Sequence, residues 1–197
     1  MMTNLIIVHP EILVYPEKTK GLFGYEEELQ KLVKEKNIKK IYLLVINEAG
    51  KIYVRVRRIM KALDVPDKNL IIAKHGFITS VEGRKGEKVR NLKILEEIMK
   101  DPVHIVTGAY FWKAVYKNND GEDGAYGCLS RTLIDLIKYG RTHACKSKII
   151  IVKDLVEEND SKYESKEQIT LEHFANDYRH SYKEWKRIIV MENKLED

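Results

Sequence analysis

Short apolar runs alternate with amphipathic segments along most of the chain. The apolar runs contain few polar positions, a pattern typical of parallel strands that are buried on both faces. We predict six strands from these runs: Leu5–Val8, Ile41–Ile46, Leu70–Ala73, Val103–Thr107, Ile149–Val152 and Ile188–Met191.

The intervening segments carry apolar residues at helical spacing. The predicted helices are Tyr25–Lys36, Tyr53–Leu63, Val89–Met99, a segment from Cys128 to Gly140 and Glu167–Tyr182. Gly140 is expected to end the fourth helix. This alternation predicts an α/β fold: a doubly wound three-layer sandwich with a six-stranded, mainly parallel sheet. The length of 197 residues suits a single domain spanning residues 1–197.

Ligands of such sheets bind outside the carboxyl ends of the strands. The polar or aromatic residues expected to follow successive strands there are His9 and Glu11, Asn47 and Glu48, Lys74 and His75, Tyr110, and Asp154. No glycine-rich dinucleotide fingerprint follows the first strand, and no phosphate-binding P-loop is present. The sequence therefore disfavours a nucleotide cofactor, and we expect no cofactor.

Cys128 lies where a glycine-containing loop meets an apolar helix. The helix dipole and the unpaired backbone N–H groups at such a position stabilise a thiolate and a developing oxyanion. A lone cysteine is also commonly a small buried apolar residue. Both interpretations of Cys128 stay open on this stretch alone.

The spacing around Cys128 resembles that of the isochorismatase-like cysteine hydrolases, which include nicotinamidases and related amidases. Thr132, Asp135 and Gly140 follow the cysteine at four, seven and twelve residues. The family's strand before the cysteine loop ends near Thr-Gly, as in Val103–Gly108. Two further segments are similar to the family: Ile71–Lys74, followed by Ser80 and Gly83, and Ile149–Asp154.

The resemblance implies a cysteine-dependent hydrolase acting on an amide or related small molecule. Cys128 would attack the carbonyl, with Lys74 stabilising the thiolate and the anionic transition state. Backbone N–H groups from Tyr126 through Gly127 to Cys128 would hold the oxyanion.

The chain departs from the family at the first strand, where the family places an aspartate as general base. His9 occupies that position, and Glu11 is a second candidate for the proton transfer. The alternative is that hydrolysis is lost and the chain is a non-catalytic binding or assembly protein. The segment Asn47–Gly50 lacks the family's metal-binding aspartate and histidines, so we expect no metal.

The chain also carries an insertion around residues 109–124, between the strand and the cysteine. Tyr110 and Trp112 in this segment could line an apolar substrate pocket, or they could be core or subunit contacts. The second cysteine, Cys145, is expected to be a loop thiol without a role in catalysis.

The formal charge of +5 permits nucleic acid as a partner, but basic and acidic residues alternate along most predicted helices. No nucleic-acid motif accompanies the basic patches, so this partner is disfavoured. Two cysteines, no apolar run long enough for a bilayer and no signal-peptide pattern lead us to expect a cytoplasmic protein. We expect it to act on a small molecule as a homo-oligomer.

Overall fold

A parallel sheet with β1 near its centre organises the fold. The computed structural model describes residues 3–10, 25–45, 60–61, 65–74, 85–111, 113–117, 123–126, 128–158 and 188–191. The strands are β1 Thr3–Val8, β2 Ile38–Val45, β3 Leu70–Lys74, β4 Val103–Phe111, β5 Lys113–Lys117, β6 Asp123–Tyr126, β7 Lys148–Glu158 and β8 Ile188–Met191. The helices are α1 Tyr25–Glu35, α2 Lys85–Ile98 and α3 Cys128–Thr142, with a short 3₁₀ helix at Asp67–Asn69.

The main sheet is hydrogen-bonded in the order β3-β2-β1-β4-β7-β8, and each pairing between these strands is parallel. The predicted α/β class and parallel sheet are confirmed. The chain first builds outward from β1 to β3 and then returns to add β4 on the other side of β1. The strand order therefore reverses between β1 and β4, which is where an open α/β sheet forms its ligand crevice.

The two faces of the sheet bury different sets of side chains. On β1, Ile6 and Val8 join the core formed with α2 and α3, whereas Leu5 and Ile7 join the core formed with α1. All four are fully buried, which explains why the strand reads as an unbroken apolar run. In α1 the buried residues recur at helical spacing, as the amphipathic pattern predicts: Tyr25, Leu29, Leu32 and Val33.

Gly140 was wrongly predicted to end the helix that begins at Cys128, because α3 continues to Thr142. Gly140 lies buried within the last turns. The helix stops just beyond, where Ala144 adopts a left-handed backbone with φ 50° and the N–H of Cys145 bonds to the carbonyl of Gly140 at 2.8 Å. This is the hydrogen bond of a Schellman motif, with alanine at a position that glycine usually fills.

Several predicted boundaries were also wrong. β4 extends to Phe111, so Tyr110 lies within that strand instead of following it. β7 extends to Glu158, so Asp154 is likewise inside a strand. α2 begins at Lys85, four residues before the predicted start. The predicted helix at Glu167–Tyr182 and most of that at Tyr53–Leu63 fall outside the described residues.

The segment between β4 and α3 contains a two-stranded antiparallel ribbon formed by β5 and β6. Most residues of this ribbon fall within the insertion expected around residues 109–124. Its second strand ends at Tyr126, two residues before Cys128.

Candidate active site at the carboxyl edge of the sheet

Cys128 is the first residue of α3, and the topology places it at the carboxyl edge of the sheet. α3 follows the carboxyl end of β4 and leads to the amino end of β7, so it runs antiparallel to the strands. α3 packs on β4 and also contacts β1 and β6. The start of α3 therefore lies near the point where the strand order reverses.

The Cys128 side chain is half-buried and packs against the core between α3 and the sheet. Its backbone carbonyl accepts a hydrogen bond from the Thr132 hydroxyl at 2.9 Å, across the first turn of the helix. Thr132 is itself fully buried. The first turn thus has a fixed backbone, and the N–H groups that open a helix have no partner within that helix.

Cys145 lies beyond the other end of α3. A helix of this length spans roughly 22 Å, so the two cysteines belong to opposite edges of the sheet. Cys145 is also half-buried, so burial alone does not distinguish the thiols. Their positions relative to α3 distinguish the two thiols, because only Cys128 lies at the positive end of the helix dipole.

His9 follows β1 directly and adopts an unusual backbone conformation. Its φ is 57°, which is uncommon for a residue other than glycine, and its side chain is only 3% exposed. Its N–H donates to the carbonyl of Leu44 at 2.9 Å, which extends the ladder between β1 and β2 by one bond. Such conformations cost about 1–3 kcal/mol and cluster at functional sites, so His9 is a candidate functional residue on its backbone alone.

Gly108 lies beside β1 at the same edge. It pairs in register with Val8, and its φ of 112° is a conformation that side chains disfavour. A Cβ at this position would lie 2.0 Å from the carbonyl oxygen of Val8. β1 and β4 therefore approach closely at the reversal point because residue 108 is glycine.

A buried hydroxyl pair lies next to this glycine, toward the α1 face of the sheet. The Tyr25 hydroxyl and the Thr107 Oγ1 are 3.1 Å apart, and both side chains are buried. Burial raises the pKa of the Tyr25 hydroxyl, which its bond to Thr107 offsets only in part. Sequence reasoning missed this pair, although a tyrosine that opens a helix is a recognisable signal once the topology is known.

Two further polar side chains, Ser130 and Asp135, are fully buried in α3. Asp135 is part of the spacing that resembles the family, but neither its burial nor that of Ser130 was predicted. A buried carboxylate is costly unless it is paired or hydrogen-bonded, so Asp135 constrains how α3 packs.

For the remaining predicted site residues, the structure describes the backbone position alone or nothing at all. Lys74 is the last residue of β3 and pairs in register with Val45. β2 separates β3 from β1, so their backbones are about 10 Å apart. Tyr110 and Tyr126 lie in β4 and β6, with their side chains outside the described part of the molecule. Glu11, Trp112 and Gly127 are outside it altogether.

Potential metal ligands do not cluster among the described side chains: no group of three or more His, Cys, Asp or Glu is suitably arranged there. The expectation that the protein holds no metal stays a prediction. Within the described part of the chain, none of the helices is both long and apolar enough to cross a membrane.

The described geometry brings Cys128, His9 and the end of β3 to one edge of the sheet. A thiol and an imidazole are therefore both present at this edge. Comparison with known proteins adds no relative: no family model, curated protein or solved structure matches this chain.

Proposed function

We propose that this protein is a cysteine-dependent hydrolase of the isochorismatase-like type, acting on an amide or a related small molecule. The observation that carries the proposal is the position of Cys128, which opens α3 at the carboxyl edge beside the reversal point of the strand order. His9, buried and in a strained conformation, follows the central strand at that same edge.

In the proposed reaction, the Cys128 thiol gives its proton to His9 or Glu11, and the thiolate attacks the carbonyl carbon of the amide. Backbone N–H groups at the start of α3 stabilise the negative charge on the carbonyl oxygen. The carbon–nitrogen bond then breaks, and the leaving amine takes a proton from His9 or Glu11. Water hydrolyses the resulting thioester and regenerates the thiol.

The proposed role of Lys74 is electrostatic. Its ammonium group would stabilise the thiolate and the anionic transition state. Because β2 lies between β3 and β1, this role requires the lysine side chain to extend across the end of β2. Replacement of Lys74 by alanine therefore tests a specific part of the proposal.

The proposal extends to the whole chain. We infer a single domain with a doubly wound three-layer sandwich and a six-stranded sheet. α1 on one face, with α2 and α3 on the other, supports this inference. A homo-oligomeric, cytoplasmic enzyme with no cofactor is the corresponding biological form.

The experiment that tests the function compares two cysteine variants. Purified protein is incubated with a panel of small primary amides, and ammonia release is followed in wild type, Cys128→Ser and Cys145→Ser. The proposal predicts turnover in wild type and Cys145→Ser, with a loss of at least about 100-fold in Cys128→Ser. Equal turnover in both variants would contradict it.

A second function is favoured by two observations. His9 stands where the family has an aspartate, and a folded ribbon of β5 and β6 precedes the cysteine. Both features suit a non-catalytic protein that binds a small molecule or assembles through this edge. Absence of turnover across the panel, together with saturable binding of one amide that Cys128→Ser retains, would favour this alternative.

A further inference from the structure

A second group of buried polar side chains lies at the opposite, amino edge of the sheet. It comprises Asn4 on β1, Tyr42 on β2 and His104 on β4, each fully buried, together with Asp101 in the turn between α2 and β4. We refer to these four residues as the amino-edge cluster. Asn4 and His104 are partners in register on adjacent strands, so their side chains emerge side by side on one face.

The cluster secures the turn that joins α2 to β4. The Asn4 amide nitrogen donates to the Asp101 carboxylate at 2.8 Å and lies 3.5 Å from the carbonyl oxygen of Ile98. The Ser147 hydroxyl, which precedes β7, lies 3.3 Å from the carbonyl of Met99 and 3.0 Å from that of Asp101. Two buried side chains therefore hold the end of α2 against the sheet.

His104 differs from Asn4 and Ser147 in its hydrogen bonding. Among the described residues, neither of its ring nitrogens makes a hydrogen bond, although the ring is fully buried. A neutral imidazole tolerates this environment at a moderate cost, whereas an imidazolium would bury a charge and two N–H donors without hydrogen-bond partners. The site therefore strongly disfavours the protonated ring.

We propose that the amino-edge cluster is an acid-sensitive latch, in which protonation of His104 releases the turn between α2 and β4 from the sheet. The Asp101 carboxylate is the nearby group that would attract the charged ring, but it is already bound to Asn4. Protonation therefore leaves a charged ring only partly compensated inside the fold, and the turn opens because the ring gains hydration when the turn moves off the sheet.

The electrostatics of the cluster determine whether acid opens or closes the turn. Burial lowers the pKa of His104 from its ordinary value of 6.5 to about 4, and the negative charge of Asp101 offsets only part of this. Between these two values the unfolded or opened chain binds a proton that the closed form does not. Acid therefore favours opening as the pH falls from about 6.5 toward 4.

Neighbouring elements add further charges around the junction. Lys40 on β2 pairs with Glu97 on α2 at 2.8 Å, and burial together with the carboxylates of Glu97 and Asp101 raises the pKa of Tyr42. Lys148 opens β7 and pairs in register with Val103, the residue before His104. Tyr139 of α3 packs against the same face of the sheet, and burial together with the charges of Glu96 and Cys145 raises its pKa. Histidine is the side-chain type whose charge ordinarily changes between pH 5 and 8, so His104 is the expected sensor.

The test measures the equilibrium constant of unfolding by urea denaturation at pH 6.5 and pH 5.0. With the two values above, His104 alone should lower the folding constant of wild type roughly 15-fold over this interval. The variant His104→Leu should lack this component. His143→Gln, which changes an exposed histidine beyond α3, should retain it. An equal decrease in wild type and His104→Leu would overturn the proposal.

Hydrogen–deuterium exchange on wild-type protein gives a second measurement that needs no variant. After correction for the intrinsic pH dependence of exchange, amides in residues 98–106 should gain exchange at pH 5.0 relative to those in residues 129–137 of α3. An unchanged ratio of protection between the two segments at the two pH values would show that no local latch opens and would overturn the proposal.

Discussion

The close approach of β1 and β4 depends on the absence of a side chain at residue 108, and Gly108→Ala tests this directly. The added Cβ would lie 2.0 Å from the carbonyl oxygen of Val8 and within 3 Å of two further backbone atoms of that residue. The obstacle is backbone in a central strand, so no flexible side chain can move aside. The two strands must separate at the reversal point.

Two contributions set the expected loss in the free energy of unfolding of Gly108→Ala. An alanine held at a φ of 112° is strained by about 1–3 kcal/mol. Relief of the contact by moving the strands apart weakens the ladder and the packing beside it, at a further cost of about 1–3 kcal/mol. We expect a total loss of about 2–6 kcal/mol in the free energy of unfolding, a large part of the stability of a typical domain.

Urea denaturation monitored by circular dichroism measures this loss, with Gly140→Ala as the matched control. Gly140 lies within α3, where the helical backbone accepts alanine, so the same chemical change should have a much smaller effect there. A Gly108→Ala protein within about 1 kcal/mol of wild type would refute the inferred packing of β1 against β4.

Three further predictions address the hydroxyl pair, the end of α3 and metal content. Tyr25→Phe and Thr107→Val should each lower the free energy of unfolding, and the double variant should lower it by less than the sum of the two. Urea denaturation should give a coupling energy of about 1 kcal/mol between the two sites, and strict additivity would contradict the hydrogen bond. Ala144→Gly should raise the unfolding free energy by up to about 1 kcal/mol by relieving the left-handed alanine, and a loss of stability would contradict this. Elemental analysis of untagged protein should find substoichiometric zinc and iron, whereas a full equivalent that tracks with activity would overturn the metal-free mechanism.

The central part of the fold could be predicted from sequence because its strands are buried on both faces. Leu5–Val8 is an unbroken apolar run for that reason, and the run predicts the strand without ambiguity. The ends of β4 and β7 could not be predicted in the same way. Gly108 interrupts the apolar pattern of β4 after Thr107, and Lys153 with Asp154 interrupts that of β7 after Val152, so the apolar run stops before the strand does.

Some features of the candidate site could likewise be predicted from sequence, and others could not. Cys128 could be placed at a helix start because a glycine-containing loop and a helical apolar pattern meet there. The left-handed backbone of His9 and the contact between Gly108 and Val8 could not be predicted, since both arise from the pairing of strands far apart in the chain. The amino-edge cluster was hidden for the same reason: Asn4 and His104 become neighbours only through the register of β1 and β4.

The measurement that tests the central claim most directly is the rate of Cys128 alkylation by iodoacetamide as a function of pH. It is made in a Cys145→Ser background and compared with the same protein carrying Lys74→Ala or His9→Ala. We predict that reactivity rises with a midpoint below the value of about 8.5 typical of a free thiol. The midpoint should move up in Lys74→Ala, which removes a positive charge, and change in His9→Ala. An identical profile in all three proteins would contradict the account and make Cys128 a core residue.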